Sequence, residues 1–196
     1  MQIQEQLMHR ALSAVSEKHG AAIKELFDID IVVPTLPFPR IPLAEAIEIV
    51  EKRGHQILRG GDLDPEGERQ IAAHVAEVFG HEFVFVTDYP ATVRPFYHMR
   101  HEDNPALTKS YDLIWRGTEI TTGAQREHRI EVLTEQAKQK GLEPEGLGFY
   151  LDFFRFGAPS HGGFGMGLLR VLMLLLHQPN IREVGFLFRG PNRLEP

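Results

Sequence analysis

Lys109–Arg126 reads KSYDLIWRGTEITTGAQR, two runs rich in aromatic, apolar and β-branched residues on either side of a glycine. That composition predicts strands over Lys109–Arg116 and Glu119–Gln125, joined at Gly117-Thr118 as a hairpin. A hairpin makes the sheet antiparallel at its centre. The stretch also holds four residues able to carry chemistry, Asp112, Glu119, Thr122 and Arg126. Simple alternation puts Glu119 and Arg126 on opposite faces. For both to enter one site the strand must bulge between them, and Thr121-Thr-Gly123 offers a glycine where a bulge costs least.

Working outward, His81–Thr87 (HEFVFVT) predicts a further strand, preceded by a helix from the capping pair Asp64-Pro65 to Gly80. Residues 3–26 have helical spacing in Ile3, Leu7, Ala11, Ala14, Val15, Ala22, Ile23 and Leu26. Asp28–Val33 reads as a short β-rich run, and the prolines of 34–42 forbid helix there. Helices are expected over 43–52, 128–140 and 144–155, and a strand over 183–188. Gly157–Arg170 (GAPSHGGFGMGLLR) reads as a glycine-rich loop feeding a buried helix at 165–176. Helices grouped at the start and strands paired by hairpins give an α+β fold, an antiparallel β-sheet flanked by helices.

The 196 residues suffice for one core and one domain. A net charge of -6 argues against a free-standing nucleic-acid binder. With no cysteine, disulfides and thiolate metal sites are excluded. The longest apolar run, near 171–176, is too short to span a bilayer, so a cytoplasmic protein without membrane contact is expected. The ten histidines lack a zinc spacing, and no nucleophile elbow or dinucleotide fingerprint is present.

Several residues admit two readings each. Arg170, at the seam between glycines and an apolar helix, either snorkels or pairs with an internal acid, or it clamps an anion brought close by the glycines. Asp112 and Glu119 are strand carboxylates facing solvent or oxygen ligands for Mg²⁺. Arg126 is a surface charge or a receptor for a carboxylate. Arg94, in Arg94-Pro-Phe-Tyr97, is an aromatic-packed corner or a site residue. Residues alone point to an anion site with Mg²⁺.

Taken together, DYPATVRPFYHM (88–99), SYDLIWRGTEITTGAQREH (110–128), FRFGAPSHGGFGMGLLRVLM (154–173) and NIREVGFLFRGPNRLEP (180–196) resemble the catalytic domain of aspartyl-tRNA synthetases of the archaeal and eukaryotic type, the branch shared with asparaginyl-tRNA synthetases. The resemblance runs over most of residues 29–196. It implies ATP and Mg²⁺ as cofactors and activation of aspartate as its adenylate. In that reading Gly165–Arg170 matches the third class II signature, with Arg170 on the ATP phosphates and Gly163, Gly165 and Gly167 admitting adenine and ribose. Asp112 and Glu119 match the Mg²⁺ acids, and Thr122 stands at a serine of the metal and phosphate region. Arg126 matches the receptor of the aspartate side chain. Gln125 beside it, His161, Gly162 and Arg94 belong to the amino-acid side.

The departures are Leu169 in place of an acid before Arg170, Thr118 in place of another, and Gly190 in place of an aspartate. The resemblance also implies that the first two class II signatures and the anticodon-binding domain lie outside this sequence, leaving a single, N-terminally truncated catalytic domain over 1–196. Three functions follow from it. One is an ATP-dependent ligase that passes an activated aspartate, or an analogue, to an acceptor other than tRNA, ammonia being one candidate. Another is a non-catalytic amino-acid-binding or regulatory paralogue. The last is one half of a split enzyme, completed by a partner chain or a homodimer, with tRNA bound only if that partner supplies the means.

Overall fold

The structure, a computed structural model, describes residues 1–58, 60–192 and 194–195. Arg193 and Pro196, at the end of the last quoted motif, lie outside the described residues. Among the described residues six α-helices surround a five-stranded sheet: α1 (Gln2–Phe27), α2 (Leu43–Lys52), α3 (Pro65–Phe79), α4 (Ile130–Gln139), α5 (Gly148–Arg155) and α6 (Leu168–Leu175). The strands are β1 (Arg40–Pro42), β2 (Phe83–Thr87), β3 (Ser110–Trp115), β4 (Thr118–Arg126) and β5 (His161–Met166), in spatial order β1-β2-β3-β4-β5. Three of the four pairings are antiparallel, as expected for an α+β sheet, and β1 joins β2 in parallel.

The hairpin closes on Trp115↔Thr118, so its turn is Arg116-Gly117, with φ of 49° and 78°, rather than Gly117-Thr118. Two residues with positive φ match the twist of the flanking strands. The capping of α3 is as read: Asp64 accepts the Gly67 N–H at 2.7 Å, and Gly80 closes the helix with φ 60°.

Four expectations are corrected. Asp28–Val33 forms no strand. Asp28 ends α1 in the left-handed region, and the strand here is β1, beyond the prolines. Pro42 is tolerated because β1 is an edge strand needing few donors. The glycine-rich stretch is not a loop, because residues 161–166 form β5, laddered along the whole end of β4. The apolar 183–188 forms no strand among the described residues, and Ile181–Val184 is a 3-10 turn capped by Asn180. In α1 the buried stripe is Gln4, Glu5, Met8 and Leu12, while Ile3 and Leu26 are exposed.

β2 has both faces covered. Val84, Val86 and Ile114 pack against Ala46 and Val50 of α2 and Ile71 and Val75 of α3. Phe83, Phe85, Leu113 and Trp115 pack against Met8 and Leu12 of α1 and Val171 and Leu175 of α6. Those two are the buried residues of α6, so the helix expected to be buried is covered along one stripe only. A third cluster, Leu133, Leu151 and Phe154 with Phe96 and Tyr97, ties α4 and α5 to the segment before β3.

Candidate functional site

The site begins with a fault in the β3–β4 ladder. Leu113 pairs with Thr121 and Ile114 with Glu119, so Ile120 is one residue too many. This is the bulge that one shared face requires, and it lies at Ile120, not at Gly123. Ile120 turns into the core with 1% exposure. Glu119, Thr122 and Arg126 then line one cavity of about 360 Å³. Gly123 has a different task. A Cβ there would sit 2.5 Å from the Tyr111 ring and hydroxyl, so the glycine makes room for that side chain.

A bulge releases a backbone donor from the ladder. The Glu119 N–H is taken by a carboxylate oxygen of Glu68, from α3, at 2.8 Å. Burial pushes the Glu68 carboxyl up to about 6, and the nearby Glu119 and Asp112 charges add to that. The Thr122 hydroxyl donates to the Glu119 carboxylate at 3.0 Å. Arg170, from α6, donates to the Glu119 carbonyl at 2.8 Å, and its guanidinium stands 3.6 Å from the Glu119 carboxylate. Of its two sequence readings, pairing with an acid is what this structure contains. The guanidinium is still half-exposed on the cavity wall.

Gly163, Gly165 and Gly167 line the same cavity. A Cβ at Gly163 would lie 3.1 Å from the Arg126 guanidinium, and at Gly165 it would project into open space. Arg126 lies over the Tyr97 ring at 5.6 Å. Among the described residues it has no acidic partner within ion-pair distance. An arginine in a concave wall without a carboxylate is a ready receptor for one.

Arg94 contrasts with it. Its guanidinium donates to Asp112 at 2.5 Å and lies 3.6 Å from the centre of the Tyr89 ring. Both charged side chains are buried, and one Asp112 oxygen (Oδ1) and the Arg94 Nε have no hydrogen-bond partner. Neither member of the pair lines the cavity, although Asp112 is the cross-strand partner of Thr122, which does.

The remaining expected residues lie elsewhere. Gln125 and Gly162 pair with each other and line a separate depression with Met1, Gln4 and Tyr111. His161 bonds the Pro159 carbonyl and stacks on Phe154. A wider open groove of about 750 Å³ runs along α1 and contains none of the expected residues.

Sequence reading missed Glu68 and His98. Glu68 sits one turn into a helix whose cap was legible, so the phase of that helix could have aimed it at the sheet. His98 lines the cavity and is 5% exposed. Burial, reinforced by the Arg94 and Arg126 charges, pulls its imidazole down to about 4.

The donors fit Mg²⁺ in one form only. Among the described residues no cluster of three or more metal-ligating side chains is arranged to hold an ion unaided. Glu119 and Thr122 offer oxygens on the wall, and Asp112, cross-strand from Thr122, keeps one oxygen without a partner. That set suits an ion carried on phosphates, which asks for one or two carboxylates from the protein.

Comparison with known proteins agrees with this geometry. The profile of tRNA synthetases class II (D, K and N) matches residues 1–189. The chain is 47% identical to the aspartate–tRNA(Asp/Asn) ligase of Aeropyrum pernix, over 95% of this chain and 43% of that protein. Its fold superposes on the aspartyl-tRNA synthetase of Entamoeba histolytica with a TM-score of 0.93 and 33% identity, covering 100% of this chain and 41% of the other. The asparaginyl-tRNA synthetase of the same organism, solved with asparaginyl-adenylate, gives a TM-score of 0.87 at 30% identity and covers 100% of this chain and 44% of its own. The chain thus spans less than half the length of these relatives.

Proposed function

The chain belongs to the class II tRNA synthetases of the D, K and N type, and from that premise we propose that its cavity binds aspartate, or a close analogue, together with ATP and Mg²⁺, and activates the amino acid as its adenylate. Arg126 receives the side-chain carboxylate by paired N–H donors. The β5 glycines admit the nucleotide against the main chain, and Arg170 meets its phosphates. Glu119, with Thr122 and its cross-strand partner Asp112, would hold Mg²⁺, which supplies charge neutralisation on the phosphates.

The observation that carries this reading is the Ile120 bulge, which gathers Glu119, Thr122 and Arg126 onto one face and leaves Arg126 without an internal acid. The relative that binds asparaginyl-adenylate lends it support. Ligation to tRNA, and any second copy or complementing chain, belong to the proposal in the same way, since the relatives are more than twice as long.

A second reading, amino-acid binding without activation, is favoured by the Arg170–Glu119 contact, which occupies the phosphate arginine with an internal acid. Two measurements separate the readings. Calorimetry is expected to detect aspartate binding that Arg126→Ala abolishes, and unchanged binding in that variant removes the proposed pocket. Aspartate-dependent exchange of pyrophosphate into ATP is expected for activation, and aspartate binding without exchange leaves the second reading.

A further inference from the structure

We propose that His98 is a second side-chain-binding residue of this cavity, donating an imidazole N–H to the ligand's side-chain oxygen beside Arg126. The inference rests on the reading that Arg126 receives that side chain.

Residues 97–99 lie antiparallel to the end of β4. Met99 N–H donates to the Gln125 carbonyl at 3.0 Å and Glu127 N–H to the Tyr97 carbonyl at 2.9 Å. This makes His98 the bridge partner of Arg126. Directly opposed residues in an antiparallel pair project to the same face with their Cβ atoms about 5 Å apart. From α4, Gln136 donates to the Phe96 and His98 carbonyls and fixes the segment from outside. The imidazole is therefore held beside the Arg126 guanidinium, on the cavity wall.

Among the described residues no group hydrogen-bonds the ring. Neither nitrogen has a hydrogen-bond partner, and Nδ1 is fully covered, which leaves Nε2 as the nitrogen a ligand can reach. A buried polar group without a partner is costly. A ligand oxygen at this end of the cavity gives the ring a partner at Nε2, while Nδ1 stays covered. The groups facing the ring are Arg94, Asp112 and Arg126, with Tyr97 against its edge. Between two arginines the imidazole stays neutral at ordinary pH.

A neutral donor differs from an arginine in what it reads. The Arg126 fork favours a full carboxylate. A single imidazole N–H bonds an oxygen that aspartate and asparagine both possess. His98 therefore contributes to both ligands, while Arg126 sets the preference between them.

The test is calorimetric titration of the full chain with L-aspartate and L-asparagine, with thermal melts confirming folding. His98→Leu is expected to weaken aspartate at least tenfold and asparagine a few fold, as loss of one hydrogen bond to a charged or a neutral acceptor. His98→Gln, whose amide nitrogen reaches toward the Nε2 position, is expected to stay within about threefold of the parent, whereas the shorter His98→Asn is not, since a hydrogen bond is lost once its geometry fails. Should His98→Leu fail to fold, the Gln and Asn variants carry the comparison. Undiminished aspartate affinity in His98→Leu, with loss in Arg126→Ala, overturns the role of His98 and leaves the Arg126 reading standing. Rescue by Asn and not Gln overturns it as well. Binding of neither amino acid by the parent chain overturns both.

Discussion

Asp112→Ala is expected to be the most damaging single substitution near the cavity, for a reason that lies on the Arg94 side. The Arg94 and Asp112 side chains are 8% and 6% exposed and meet at 2.5 Å. Removing the carboxylate leaves a buried guanidinium whose Nε already lacks a partner. Breaking a buried pair in this way costs about 3–5 kcal/mol. For a chain of this length each kcal/mol shifts the melting temperature by roughly 2–4 °C, so a fall of about 6–20 °C is expected. Arg94→Met strands the carboxylate instead and is expected to cost a similar amount. The double variant Arg94→Met/Asp112→Leu removes both charges and is expected to recover most of the loss, because apolar replacement of a buried pair is often neutral or stabilising. Urea unfolding followed by the emission of Trp115, the sole tryptophan and 1% exposed, measures all three against the parent. The m-value is expected to hold, so that midpoints report stability alone. A cost below about 1 kcal/mol for Asp112→Ala, or a double variant as unstable as the sum of the singles, would refute the argument that the pair is desolvated and acts as a unit.

Two further outcomes follow from the same sheet. Gly123→Ala puts a Cβ within 2.5 Å of the Tyr111 ring. It is expected to destabilise by about 1–3 kcal/mol, with the loss recovered in a Gly123→Ala/Tyr111→Leu chain; a melt unchanged by Gly123→Ala would mean that the ring moves freely. The His98 imidazole is held near 4 when folded, chiefly by burial, and returns to the ordinary histidine value of 6.5 when unfolded. The unfolded chain then binds the extra proton, so stability is complete above about 6.5 and is lost as pH falls toward 4, by about 3 kcal/mol at most. His98→Leu is expected to flatten that slope in denaturant titrations, and an equal slope in both proteins would assign it to other groups.

The parts of this architecture governed by local rules were legible in the sequence. Asp64 and Gly80 mark the ends of α3 because capping is decided within four residues. The hairpin is legible because its strands are neighbours in the chain. So is the need for a bulge, since the odd interval from Glu119 to Arg126 is plain arithmetic. What escaped depends on distant partners. Three glycines in β5 read as a loop, yet they sit in a strand laddered to β4, and distant groups ask for glycine at two of them: the Ala124 carbonyl stands 3.0 Å from the Cβ position at Gly162 and the Arg126 guanidinium 3.1 Å from that at Gly163. The apolar 183–188 reads as a strand but pairs with neither edge of the sheet among the described residues. The phase of α3 can aim Glu68 at the sheet but cannot name its partner, and His98 carries no local signal. One is defined by a donor that the bulge releases 51 residues away, the other by its bridge to Arg126.

The extra residue at Ile120 has a consequence for how this protein can change. Substitutions along β4 alter one wall or the other, and each can be judged singly. A change of length between 119 and 126 is of another kind. Losing one residue there would send Glu119 toward the packed core and hand its place to an apolar neighbour, or do the same to Arg126, in a single step. Insertions should instead be admitted at Glu102–Pro105, where the chain lies outside the sheet and its side chains are exposed. The hairpin can therefore be rewritten letter by letter, but its count of residues is fixed by the need to keep an acid and an arginine facing the same ligand.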